Sequence, residues 1–432
     1  MRVLDRLGLH RPELRAWAMY DWANSAFQST IITAVFPIYF TAVAAADLRP
    51  AEATRHLAAA TTIALTVAAI LAPILGALAD YAPVKKKMLG GFLAIGALAT
   101  AAMVLIQRGD WMLGAVLFAV GNIGMSGSLT FYDSLLPHIA NETEMDRVST
   151  AGYALGYLGG GILLAFNVAW IIRPEVFGLR DASAASRLSF LSVAVWWVAF
   201  SFPLFRTVRE PRLRIQIAAQ SGRRLFSVAF GGLIRTLREL RAYKQAFLLL
   251  LAFIVYSDGI NTIIRMATSY GTELGLRQEA LITAILLVQF AGIPFSFLFG
   301  SLAGWIGAKR SIFVALAVYT LTSVLGYYMK TERDFYVLAI MVATVQGGSQ
   351  ALGRSLFASM IPRDKSSEFF GFFSVFEKFG AILGPALFGL ANAATGSSRA
   401  GILAVIGFFV AGWVLLAFVD VDAGRRAARG AV

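Results

Sequence analysis

The sequence predicts an all-α polytopic membrane protein with twelve transmembrane helices arranged as two six-helix pseudo-repeats. Three observations predict it. Of 432 residues, 58% are hydrophobic and 15% are charged, whereas soluble chains carry about 25% charge. Apolar runs near or above the ~20 residues needed to cross a bilayer recur along the chain. Short landmarks in the first half return in the second at a nearly constant offset. The alternating ten-residue segments of a membrane β-barrel are not evident.

Taken in order, the apolar runs fall at 16–43, 57–80, 88–107, 111–137, 149–172, 188–205, 244–271, 279–305, 310–329, 335–360, 367–393 and 399–420. The polar segment Met1 to Arg15 carries four arginines. The run after it is too long for a cleavable signal core and lacks a small-residue cleavage site, so it reads as a retained first helix. Residues 206–243 divide the chain. They separate an N-terminal bundle (1–205) from a C-terminal bundle (244–432). Within them Val228, Leu233, Ile234, Leu237 and Leu240 recur near helical spacing, with Arg235 and Arg238 between. This predicts an amphipathic helix on the membrane surface, drawn to anionic lipid.

The net charge of +13 raises nucleic acid as a partner. The basic residues instead sit in short clusters between spans, which is a membrane-topology pattern and argues against nucleic acid. Placing both termini in the cytoplasm puts 25 Lys and Arg on that side and ten on the other. The positive-inside rule therefore predicts cytoplasmic termini, in a cell (inner) membrane. With no cysteine, disulfides and thiolate metal sites are excluded.

The internal repeat is specific. Gly76-Ala77-Leu78-Ala79 answers Gly300-Ser301-Leu302-Ala303 at an offset of 224. Pro137 answers Pro362, and Gly159 answers Gly384, each at 225. Asp21-x-x-Asn24-Ser25 answers Asp258-x-x-Asn261-Thr262 at 237, the difference being absorbed by a longer loop between spans one and two. Parallel six-helix repeats are the plan of the major facilitator fold.

The resemblance then becomes closer. Gly76-x-Leu78-Ala79-Asp80 with Lys85 and Lys86 resembles the loop 2–3 signature of the major facilitator superfamily. Asp80-Tyr81-Ala82-Pro83-Val84-Lys85 replaces the usual Asp-Arg-x-Gly-Arg-Lys, which displaces the basic part. Tyr20 to Phe27, Thr33 to Phe40, Asn122 and Phe131 to Pro137 resemble the "unknown major facilitator" branch, which includes the fungal vacuolar amino-acid effluxers linked to autophagy. What the resemblance implies is a transporter, with no substrate named.

Several charged residues sit where hydrocarbon makes them costly, at ~2.5–3.5 kcal/mol each on insertion scales. Asp21, Asn24 and Gln28 share a helix face at i, i+3 and i+7. Asp258, Asn261 and Arg265 share another, and Arg265 is the expected countercharge of the two aspartates. These faces either meet at a substrate or coupling site, or form interhelical pairs that hold the bundle. Glu377 is a proton-carrier candidate. Lys378 points about 100° away from it, so one of the two lines the path while the other pairs with a neighbouring helix, or both form a structural pair. Asp133 and Arg354, near the Pro137 and Pro362 helix ends, read as gate residues or cavity lining. Asp80, Lys85 and Lys86 read as a latch that ties the halves in one state and releases in the other.

Nothing points to an enzyme. The three histidines (His10, His56, His138) lack metal-ligand spacing. No Walker A, nucleotide fingerprint or G-x-S-x-G is found. Neither a metal, a cofactor nor a catalytic residue is expected. The reading is a secondary transporter working by rocker-switch alternating access. It is expected to act as a monomer in the bilayer, on a small polar solute such as an amino acid, with proton coupling. A drug/proton antiporter, a lipid flippase and a non-transporting receptor or scaffold of the same fold remain the alternatives.

Overall fold

The computed structural model describes residues 3–81, 83–211, 243–377 and 398–430. Its helices are α1 (Pro12–Ala44), α2 (Pro50–Tyr81), α3 (Lys85–Ala102), α4 (Trp111–Ile139), α5 (Met145–Ile172) and α6 (Ala182–Thr207) in the first half. In the second half are α7 (Lys244–Glu273), α8 (Gln278–Ile306), α9 (Ala308–Tyr328), α10 (Glu332–Ser359), α11 (from 366, described to 377), α12 (Ser398–Ala417) and α13 (Val421–Gly430). Among the described residues ten are long and apolar enough to cross a membrane, or eleven if α12 and α13, bent by 60°, count as one span. Most of the expected span 367–393, the expected surface helix after Leu225, Gly384 and Lys378 lie outside the described residues.

Helix α1 departs from the expected uniform span. It is π-helical over Phe27–Ala34 and again over Phe40–Ala44. The Val35 amide bonds back to Thr30 O, and Ala45 to Phe40 O at 2.7 Å, each spanning five residues. Such wide turns are rare and concentrate at functional sites. One follows from Pro37, which lacks a donor and loosens the ladder around it.

Small residues set how closely helices approach. On α5, Gly156 faces Ser25 and Gly160 faces Ser29, so α1 lies directly against the α5 backbone. Gly96 of α3 lies against Gly124 of α4 in the same way. Helix ends are capped: Asp181 accepts from Ala184 N at 2.7 Å, and Thr331 with Asp334 forms a capping box. Glu210 accepts from the Lys85 and Lys86 amides at 2.6 and 3.0 Å, which caps α3.

The halves meet through two related contacts. Gly76 of α2 lies against Ser367 at the start of α11, and Gly300 of α8 lies against Thr150 near the start of α5. The two glycines are those paired by the sequence repeat, and each permits close crossing where a Cβ leaves no room. Next to them, a Cβ on Gly371 would stand 2.7 Å from Ala72 O and Pro73 Cα. Gly371→Leu is therefore expected to hold α11 off α2. Cysteine-accessibility labelling, direct in a chain without native cysteine, should then show the face carrying the termini open. An unchanged labelling pattern would contradict this placement.

That same face gathers both ends of the chain. Arg11 pairs with Glu144 and donates to Ile139 O at 2.7 Å. Arg429 of α13 pairs with Glu142, and its hydrogen bond holds the Glu142 carboxyl below its usual range. Both contacts converge on the loop between α4 and α5.

Candidate functional site: a two-layer interlock between the halves

The inner layer is built around Arg354 of α10. Its side chain belongs to the second half, and the partners that hold it belong to the first. Nη2 donates to Asp21 Oδ2 at 3.1 Å, Nη1 to Asp133 Oδ1 at 3.2 Å, and Nε to Ser149 Oγ at 2.9 Å. Nη2 also donates to Ser149 O at 3.0 Å. Arg354 is 4% exposed and Asp21 7%. The planar fork of arginine suits this multi-point capture, which an ammonium could not reproduce.

Local sequence positions each partner. Tyr132 OH donates to Asp21 Oδ2 at 2.9 Å, which fixes the carboxylate. Trp17 Nε1 donates to Tyr132 O at 3.0 Å, and the two rings stack with centroids 4.4 Å apart. Ser149 Oγ donates to Ala351 O at 2.8 Å, tying α5 to α10 a turn from the arginine. The guanidinium carbon lies 4.8, 4.6 and 5.6 Å from the Trp17, Tyr153 and Tyr132 ring centroids, within cation–π range. Gly152 leaves the space: a Cβ there would collide with Asp21 and stand 3.3 Å from Arg354 Nη2.

The outer layer is built around Asp80 at the end of α2. Its carboxylate pairs with Lys85 Nζ at 2.7 Å and accepts the Ser367 and Glu368 amides at 3.1 and 2.7 Å. Asp80 therefore caps the N-terminus of α11, where backbone donors and the helix dipole favour an anion. Lys85 Nζ donates to Ser366 Oγ at 2.7 Å and lies 3.2 Å from His138 Nε2. Further bridges join Ser367 Oγ to Ser134 Oγ (3.1 Å) and Ser355 Oγ to Asp146 Oδ1 (2.5 Å). Farther along the spans, Gln289 Nε2 donates to Ser29 Oγ at 3.1 Å.

The structure redistributes the residues singled out by sequence. The cation on Asp21 is Arg354 of α10, where the sequence pointed to Arg265 of α7. The repeat pairs symmetry-related helices, whereas the contact runs between α1 and α10. The Arg265 side chain, like Lys378, lies outside the described residues. Asp258 is buried and half-buried Asn261 stands beside it on α7, with Thr262 Oγ1 donating to Asp258 O at 2.7 Å. Asn24 is turned onto its own helix, donating to Tyr20 O at 2.9 Å. Gln28 is exposed, at the start of the π-helical stretch. Glu377 is exposed on α11 and lies within electrostatic reach of Asp133 and Tyr153. Lys86 donates to Phe205 O and Val208 O, at 2.8 and 2.5 Å, within its own half, where it caps α6 and does not bridge.

Sequence reading missed Ser149, Trp17, Tyr153, Ser366 and Ser367. None carries a charge, so hydropathy gives no signal. Only the tertiary fold brings them to the arginine or to the aspartate.

The outer layer is one-sided. The repeat sets Gly304 where the first half has Asp80, and a Cβ on Gly304 would stand 3.2 Å from Arg147 Nη2. Gly304→Asp is expected to pair with Arg147 and add a second clamp. The variant should melt higher and transport more slowly than the parent; a faster transport rate would argue against the clamp.

Comparison with known proteins bears on this arrangement. Residues 52–429 match the family described as vacuole effluxer Atg22 like. An uncharacterized major-facilitator-type transporter, YxiO, of Bacillus subtilis is 38% identical over 413 residues, covering 94% of each chain. Autophagy-related protein 22 of Yarrowia lipolytica is 29% identical over 319 residues, which is 68% of this chain and 53% of that one. Among solved structures, the proton:xylose symporter XylE superposes with a TM-score of 0.71 at 12% identity, covering 96% of both chains. The transporter FucP superposes at 0.69 and 13%, covering 96% of this chain and 99% of that one. These two establish the fold. The chain is a multi-pass membrane transporter with the major facilitator fold, not an enzyme, and it belongs to the vacuole effluxer Atg22-like family.

Proposed function

We propose that this protein moves a small polar solute, an amino acid or similar zwitterion, by rocker-switch alternating access coupled to protons. The observation that carries the reading is the inner layer. A single buried arginine of one half is held by two carboxylates of the other, toward the terminus-face ends of their helices. A charged cluster that costs so much in hydrocarbon is kept for function. Its carboxylates suit a cargo ammonium, and its arginine suits a cargo carboxylate. The family's description as vacuole effluxers supports the transport part of this reading.

Proton coupling follows from the charge count. Asp21 and Asp133 both bind Arg354, and Glu377 stands nearby, so among the described residues the cluster holds more acid than base. Taking up one proton removes one of the two carboxylate anchors of Arg354 and loosens the interlock. Tyr132, Tyr153 and Ser149 complete the surroundings of these groups. With the termini in the cytoplasm of a cell membrane, the state described here is closed to the cytoplasm. The protein acts as a monomer, its six-helix halves rocking so that the Arg354 layer alternately parts and closes.

Reconstitution into proteoliposomes tests the reading. An imposed pH gradient should drive accumulation of at least one amino acid, and Asp21→Asn and Asp133→Asn should each abolish the gradient-driven part. If both variants accumulate cargo like the parent, proton coupling through this cluster is wrong. If no amino acid is taken up by the parent under any gradient, the cargo class is wrong.

A further inference from the structure

The surroundings of Arg354 form a complete cation-binding site made by one half alone. Asp21, Asp133 and Ser149 supply the acceptors, and Trp17, Tyr132 and Tyr153 supply three aromatic faces. All six residues lie on α1, α4 and α5. They are cross-braced within that half, by Tyr132 on Asp21 and by Trp17 on Tyr132. The site therefore keeps its shape when the guanidinium leaves it. The guanidinium, in contrast, rides on α10 of the other half. Any rocking that separates the halves on the terminus face withdraws Arg354 and leaves a caged pair of carboxylates open to solvent.

We propose that Arg354 is a built-in stand-in ligand, and that this cage binds the cationic group of the cargo, an alkylammonium or guanidinium, once Arg354 has withdrawn. The proposal rests on the transporter reading above and names the chemistry that its site recognises. The withdrawn arginine and the arriving cation compete for the same six residues. Cargo entering from the terminus face therefore holds the cage against re-closure. Passage of the cargo from the cage toward the opposite side lets Arg354 return and seal the face. Carboxylates rank cations by charge and hydrogen-bond fit, and aromatic faces add preference for weakly hydrated cations. A neutral isostere gains neither term. Selection at this cage is thus for a positive head group rather than for side-chain size.

The test is chemical rescue. In Arg354→Ala and Arg354→Gln proteins the cage is vacant, and methylguanidinium chloride at millimolar concentration should raise the melting temperature by several degrees, in a saturable manner. N-methylurea, its neutral isostere, and sodium chloride at matched ionic strength should not. Adding Asp21→Asn to either variant should remove the rescue, and parent protein, its cage already filled, should show none. Equal responses to methylguanidinium and N-methylurea in folded variants would overturn the proposal. Should neither variant fold, the parent decides. Methylguanidinium on the terminus side should inhibit cargo counterflow at a concentration about tenfold below that of N-methylurea, given the charge-assisted contacts it alone makes. Equal inhibition would overturn the proposal there too. Rescue in the variants without amino-acid transport by the parent would keep the cage and reject the amino-acid reading. Amino-acid transport without rescue would do the reverse.

Discussion

Arg354→Ala is expected to abolish transport and to destabilise the protein by about 3–5 kcal/mol, because it strands two buried carboxylates. The cost arises from Asp21 and Asp133, which lose their cation while still held in a water-poor layer. Arg354→Lys keeps the charge but loses the fork. It cannot reach Asp21, Asp133 and Ser149 together, so it should fold better than the alanine variant and still transport poorly. Differential scanning fluorimetry alongside proteoliposome uptake separates the two effects. Full uptake by Arg354→Lys would show that charge alone suffices and that the geometry of the fork is incidental.

Asp80→Asn is the second large effect. It leaves Lys85 buried at 2% exposure without its anion and removes the charge that caps α11. Losing a buried partner costs about 3 kcal/mol or more. If all of that falls on the closed state, the closed-to-open ratio drops on the order of a hundredfold. Unlike Arg354→Ala, this substitution leaves the inner layer intact, so cargo recognition should persist while the terminus face opens. The expected signature is higher affinity for cargo presented on that face with a lower maximal rate. Unaltered affinity together with unaltered rate would place Asp80 outside the conformational cycle.

The two layers differ in how far they can be read from sequence. The spans are legible because a bilayer demands long apolar runs, and Asp21 stands out because an acid there is expensive. Asp80 with Lys85 is legible because a charged motif at a loop leaves a local mark. Arg354 was visible as a charge in a span, but its partnership with Asp21 was not. The two residues lie 333 positions apart, and the repeat directed attention to Arg265. The aromatic cage left no mark either, since Trp17, Tyr132 and Tyr153 look like ordinary aromatic residues of apolar helices. The π-helical stretch of α1 is silent for a different reason. It shifts hydrogen bonds by one residue without changing composition.

The outer layer also explains an asymmetry the repeat concealed. Both halves keep the Gly-x-Leu-Ala approach, yet only the first follows it with an acid. In this structure α2 grips α11 through Asp80, while α8 rests on α5 through Gly300 with no equivalent charge clamp among the described residues. A clamp on one side of the pseudo-two-fold axis can be released by a single protonation or substitution, which suits a switch.

The central claim is that the Arg354 layer holds the terminus face shut. The most direct measurement is the distance across that face between spin labels on Lys87→Cys and Arg310→Cys, two exposed positions at the starts of α3 and α9. The chain has no native cysteine, so both labels attach only where placed. The account predicts a single short-distance population in the parent and a second, longer population in Arg354→Ala and Asp21→Asn. A distance distribution unchanged by both substitutions would contradict it.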